Sequence, residues 1–79
     1  MEKAKVYFTD FRTQAYGDGL TTKLQKMLKK AGIEQLDMDG KFVAIKMHFG
    51  ELGNLSFLRP NYARAVADLV KSLGGKPFL

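Results

Sequence analysis

The sequence is a short, basic chain of 79 residues that contains no cysteine. A chain of this length forms one domain at most and buries only about 60% of the surface that its unfolded form exposes. The lack of cysteine excludes disulfides, and it excludes thiolate ligands for zinc or an iron–sulfur cluster from within this chain. Apolar residues make up 46% and charged residues 27% of the chain, a globular balance that argues against disorder.

The apolar segments are too short to indicate a membrane protein. No apolar run approaches the roughly 20 residues of a membrane span. Residues 1–8, MEKAKVYF, lack the apolar stretch and the cleavage site of a signal peptide. We therefore expect a cytoplasmic protein with no membrane partner.

The net charge of +5 raises the question of a polyanionic partner. Four of the lysines, Lys23, Lys26, Lys29 and Lys30, crowd into one predicted helix. No aromatic residues are interleaved with them, so the pattern favours a solvated helix face. A small basic nucleic-acid-binding module remains an alternative, but nucleic acid is not the partner that we expect.

The first half of the chain predicts a strand followed by a helix. The first strand is predicted over Lys5–Asp10, where Val6, Tyr7 and Phe8 form a continuous apolar run typical of a strand covered on both faces. A loop follows, and the apolar stripe of a helix then runs over Leu20–Ala31. Gly32 is the expected left-handed stop of this helix.

The second half predicts a strand, a helix and a further strand. Over Phe42–Phe49, apolar residues alternate between two faces, and Lys46 and His48 fall on the second face near the strand's carboxyl end. The next helix begins at Pro60, a residue suited to the first helical position, and ends before Gly74 and Gly75. A third strand is predicted from Lys76 to Leu79.

The predicted fold class is therefore α/β, with the order β-α-β-α-β, a small parallel sheet and helices packed on it. Residues 1–79 are expected to form a single α/β domain that is an incomplete piece of a larger one, the N-terminal fragment of a longer protein. A three-stranded parallel sheet of this size leaves its edges open and its helices half covered. The predicted partner is the remainder of the parent protein, or a second copy that pairs through the edge of the third strand.

Polar residues follow the predicted strands in three groups. Ligands of open parallel sheets bind beyond the carboxyl ends of the strands, where all three groups are expected. The groups are Asp10 with Arg12, Lys46 with His48, and the loop residues Glu51, Asn54 and Arg59.

His48 and Glu51 are the predicted catalytic pair. A carboxylate on one imidazole nitrogen fixes the tautomer and leaves the other nitrogen for a proton or a metal, so His48 is also a candidate metal ligand. Lys46, Asn54 and Arg59 are the predicted cofactor-binding residues, and helix amides beside Arg59 suit an anion. Structural roles stay open: His48 as a hydrogen-bonded strand-end residue, and Arg59 as a tie for the loop.

Several segments together resemble a known family. They are residues 5–10, 43–51 (VAIKMHFGE), 53–54, 59–60 and 74–79 (GGKPFL). The chain resembles, from its first strand to its last residue, the start of the prokaryotic family known as domain of unknown function 362 (DUF362), which is described as uncharacterised iron–sulfur-centre proteins. The run AIKMHFGELGN followed by RP is the most specific part of this resemblance.

The resemblance implies a redox-linked or metal-binding protein whose members are several times longer than this chain and carry ferredoxin-like cysteine motifs further along. Any iron–sulfur cluster would then be held outside this chain. Lys46, His48, Glu51, Asn54 and Arg59 match the polar run of the family, whose role is not defined. The first hypothesis is an N-terminal segment of such a protein that contributes a polar site and is not active alone; the alternatives are the nucleic-acid-binding module and an interaction fragment completed by a partner strand.

Overall fold

The computed structural model describes residues 3–13, 17–48 and 50–79. Within them lie helix α1 (Leu20–Ala31), a short 3-10 helix (Ile33–Gln35), strand β1 (Phe42–Ala44), helix α2 (Pro60–Ser72) and strand β2 (Lys76–Phe78). The two strands are parallel neighbours and α2 is the crossover between them. The predicted α/β class with a small parallel sheet is confirmed.

Local signals in the sequence set the ends of both helices. Gly32 ends α1 with a φ of 104°, and its N–H donates to the carbonyl oxygens of Leu28 and Lys29. Only glycine adopts such a left-handed backbone at low cost. Pro60 begins α2, where its missing N–H costs no helical hydrogen bond.

The parallel ladder pairs Phe42 with Lys76, Val43 with Pro77 and Ala44 with Phe78. The second predicted strand, Phe42–Phe49, is therefore shorter than expected, and its last residue Phe49 lies outside the described residues. A ladder extends only as far as its partner, and β2 supplies three residues. The alternation nevertheless continues past the ladder, because side chains 42, 44, 46 and 48 are exposed and those of 43, 45 and 47 are half-buried.

The prediction of a first strand over Lys5–Asp10 is wrong for the arrangement observed. Residues 5–10 form no strand in the part of the chain that the structure describes, and the sheet has two strands. The segment lies beside α1, where Lys5–Phe8 border a groove with Met27 and Lys30, and Lys23 binds Asp10. The apolar run Val6–Phe8 indicates only that these residues suit a half-buried strand. A strand forms only where a neighbouring strand is available to pair with it, and local preference does not determine that.

The small core lies where α2 packs on the sheet. Its buried side chains are those of Met38, Ala65, Leu69 and Val70. Gly75 allows the close approach of α2 and β2, because a Cβ at this position would lie 2.7 Å from Cγ1 of Val70. The sheet face toward α2 is therefore tightly packed around Val70.

The opposite face of the sheet is open. Phe42 and Phe78 lie on it with exposed fractions of 77% and 52%. Their rings meet edge to face with centroids 6.5 Å apart, and the Nζ of Lys76 lies 5.3 Å from the Phe42 ring centre. Parallel sheets are ordinarily covered on both faces, so this face differs from the usual arrangement.

Candidate functional site

The segment after β1 carries the first two predicted site residues onto the open face. Lys46 and His48 are exposed and stand in alternation with the half-buried Ile45 and Met47. They continue the row that begins with Phe42, because side chains two residues apart along an extended chain lie on the same side. The open face thus has an aromatic end and a polar, cationic end.

A tight turn shapes the loop that follows. The backbone N–H of Asn54 donates to the carbonyl oxygen of Glu51 over 2.9 Å, and the two residues form an isolated antiparallel bridge. Asn54 also accepts, through Oδ1, a hydrogen bond of 2.9 Å from the backbone N–H of Ser56. Gly53 has a φ of 83°, a left-handed conformation that explains a glycine at this position. The backbone of Asn54 therefore closes the Glu51–Asn54 turn, and its side chain stabilises the chain just after it, at Ser56.

The structure brings Glu51 and Asn54 together in one turn. Glu51 is exposed, and no hydrogen bond or ion pair joins it to His48 within the described residues. Arg59 is the N-cap residue of α2 and is also exposed. The catalytic and cofactor-binding roles of these residues remain predictions.

A second polar cluster joins the N-terminal segment to α1. Asp10 accepts a hydrogen bond of 2.7 Å from Nε of Arg12 and one of 3.2 Å from Nζ of Lys23. Lys23 also donates to the carbonyl oxygen of Arg12. The Arg12 side chain, the Lys23 ammonium and the Arg12 backbone N–H hold the pKa of Asp10 below its ordinary value of 3.8, with the Arg12 side chain as the largest cause.

Sequence reasoning placed Lys23 on a solvated helix face and missed this contact. Its side chain is only 23% exposed, because Asp10 and the backbone around Arg12 cover it. Lys26 of the same helix binds Asp18. An open cleft of about 630 Å³ adjoins the cluster, and its lining residues are Asp10, Arg12, Thr13, Gly17, Asp18 and Lys23. No periodic signal links residues 10 and 23, so the sequence offered no means of finding the pair.

The donor set bears on the metal and cluster that the resemblance implies. The chain has one histidine and no cysteine, so it cannot supply thiolate ligands for an iron–sulfur cluster. Within residues 3–13, 17–48 and 50–79, no three side chains of the metal-binding types histidine, cysteine, aspartate and glutamate come together. Among the described residues, His48 offers a single imidazole ligand, and these residues do not form a complete site.

Comparisons with protein-family models, curated proteins and solved structures found no match to this chain. Across the described part of the chain, neither helix combines the length and the apolar character that crossing a lipid bilayer requires.

Proposed function

We propose that this chain is an α/β segment of a larger redox-linked or metal-associated protein, in which it supplies one polar wall of a site and is not active alone. The observation that carries this proposal is the open sheet face, which runs from Phe42 through Lys46 to His48. An exposed apolar surface next to polar side chains is typical of a surface that another part of a protein covers.

In the proposed site, His48 acts as an acid/base or as a single metal ligand, and Glu51 orients its imidazole. Lys46 and Arg59 attract an anionic group of the substrate or cofactor, and Asn54 holds the turn that carries Glu51. The exposure of His48 and Glu51 supports the statement that the chain alone is inactive, because an open site leaves water in contact with every reacting group. Covering the open face would exclude that water and strengthen the interactions of these charges.

Any iron–sulfur cluster would be held by a different part of the larger protein. Cluster ligands would come from cysteines that this chain does not contain. The residues of this chain would hold charge and orientation near the site, as outer-shell groups do in metal proteins.

A second candidate function, an interaction fragment completed by another protein surface, is favoured by the pair Phe42 and Phe78. The two rings are exposed and in contact, and the Lys76 ammonium lies beside the ring of Phe42. Aromatic residues on such a patch are common anchors of protein interfaces. The nucleic-acid alternative has less support, because Lys23 and Lys26 are engaged with carboxylates of the same chain.

The metal part of the proposal is tested by titrating the purified chain with Zn²⁺ in a calorimeter. We expect weak binding that His48→Ala abolishes and that Glu51→Gln weakens by about tenfold, the usual size of an outer-shell effect. Glu34→Gln, which removes an exposed carboxylate from the 3-10 helix, is the matched control and should leave binding unchanged. Binding that is absent, or that survives His48→Ala, would remove His48 as a ligand.

A further inference from the structure

The two edges of the sheet differ in their ability to accept another strand. The backbone N–H of Lys76 donates to the carbonyl oxygen of Lys41, and that of Ile45 donates to the carbonyl oxygen of Phe78. Backbone groups of successive residues in a strand point to opposite sides. The outward-facing residue at the centre of β2 is therefore Pro77, which has no N–H to donate.

Pro77 protects the outer edge of β2 against pairing. Proline within a sheet occupies edge positions because its missing donor interrupts a ladder. This is the edge through which the sequence had suggested a partner, and its chemistry is unfavourable for that role. Lys76 beside it adds charge that further discourages an incoming strand.

The outer edge of β1 has both kinds of hydrogen-bonding group available. By the same alternation, the N–H and C=O groups of Phe42 and Ala44 point away from β2. Among the residues that the structure describes, no strand pairs with this edge. The outer edge of β1 can therefore form backbone hydrogen bonds with one further extended segment.

The packing of the helices indicates which segment fits this edge. Helix α1 packs on α2, so both helices lie on the same side of the sheet. With right-handed crossovers, a strand that precedes α1 on that side falls next to β1 and away from β2. The segment that precedes α1 is the N-terminal one.

The N-terminal segment already runs in the required direction. Asp10 contacts Lys23 in the first turn of α1, whereas Lys5–Phe8 lie beside Met27 and Lys30 in its later turns. The segment is thus antiparallel to α1, as a strand is to its crossover helix in a β-α-β unit. It contains no proline, and Val6 and Phe8 are 85% and 86% exposed in the arrangement observed.

We infer that the outer edge of β1 is a strand-acceptor site and that Lys5–Thr9 of the same chain is its occupant, in a second arrangement distinct from the one observed. Docking there gives the segment hydrogen-bonding partners and brings the side chains of Val6 and Phe8 onto the sheet. The contact of Asp10 with Lys23 keeps the end of the segment near α1 in either arrangement.

Disulfide trapping tests this inference cleanly because the chain has no cysteine of its own. Phe8→Cys with Ala44→Cys joins the segment to β1, and Phe8→Cys with Phe78→Cys is the control pair. A strand docked on β1 lies about 5 Å from it and about 10 Å from β2. Disulfides need Cα atoms within about 7 Å, so we expect the first pair to close at least about tenfold faster, within one chain.

Equal closure rates for the two pairs would overturn the inference. Covalent dimers in place of intramolecular bonds would also overturn it, because the occupant would then be the segment of a second copy. Amide hydrogen exchange gives a second measurement: Tyr7→Pro should abolish protection of the Phe42 and Ala44 amides. The Leu69 and Val70 amides report that the core persists. Protection unchanged by Tyr7→Pro would contradict the docking.

Discussion

Val43 lies opposite Pro77 at the centre of the parallel ladder, and its side chain is directed toward α2. The backbone of Pro77 faces away from β1, toward the outer edge of β2. The proline thus occupies the one position of β2 where the loss of an N–H leaves the ladder with β1 intact. This position makes a specific prediction about self-association.

Replacing Pro77 by alanine should increase association of the chain with itself. The variant gains an outward N–H on β2, so an exposed edge becomes able to pair with a second chain. Sedimentation velocity at several protein concentrations measures the effect, and we expect a dimer fraction that grows with concentration. Pro60→Ala, at the first turn of α2, is the matched control for the loss of a proline ring. Equal sedimentation of both variants would show that Pro77 has no such protective role.

The Asp10 cluster predicts a dependence of stability on pH. The pKa of Asp10 is lowered in the folded chain, so the unfolded chain binds this proton more tightly. The stabilisation is therefore fully present above the ordinary value of 3.8 and is lost as the pH falls below it through the folded-state pKa. Added salt should shrink the effect, because the groups are partly exposed.

Urea unfolding at a series of acidic pH values measures this dependence. Asp10→Asn should flatten the acid limb of the stability curve, and Lys23→Gln should reduce its slope. Lys29→Gln, an exposed lysine of the same helix, is the control and should leave the slope as it is in the unaltered chain. If Asp10→Asn retains the full acid slope, the cluster is not its source.

Two leucines differ in burial and should differ in their effect on stability. Leu69 is 3% exposed, whereas Leu52 is 106% exposed in the loop after β1. Leu69→Ala should lower the free energy of unfolding by about 2–5 kcal/mol, because it removes buried contacts and leaves a cavity. Leu52→Ala should change it by less than about 0.5 kcal/mol. Chemical denaturation compares the two, and equal losses would contradict the position of the core.

The sequence predicted those features whose causes lie close together in the chain. Gly32 and Pro60 mark the helix ends by their own backbone chemistry, and the alternation from Phe42 to His48 marks two faces. It did not predict the observed position of Lys5–Asp10 beside α1, because strand formation depends on a partner edge that local preference does not specify. The pairing of Asp10 with Lys23 was equally hidden, because the two residues are thirteen positions apart in the sequence.

In the predicted site, too, the sequence predicted only what depends on nearby residues. The alternation of apolar and polar residues predicted Lys46 and His48 on one face, and both side chains are exposed in the structure. The expected contact of His48 with Glu51 depended on the course of a loop, which no periodic pattern fixes. One local feature of that loop is the turn in which the N–H of Asn54 donates to the carbonyl oxygen of Glu51.

The division of residues 43–46 between a covered face and an open face is tested most directly with single cysteines. Their accessibility is measured by their rates of reaction with a maleimide. We expect Ala44→Cys and Lys46→Cys to react fast and Val43→Cys and Ile45→Cys to react at least about tenfold more slowly, because α2 covers one face of this extended segment. Circular dichroism of each variant checks that the fold is kept. Uniform rates along the segment would contradict the account, because Lys46 and His48 would then belong to no common open face.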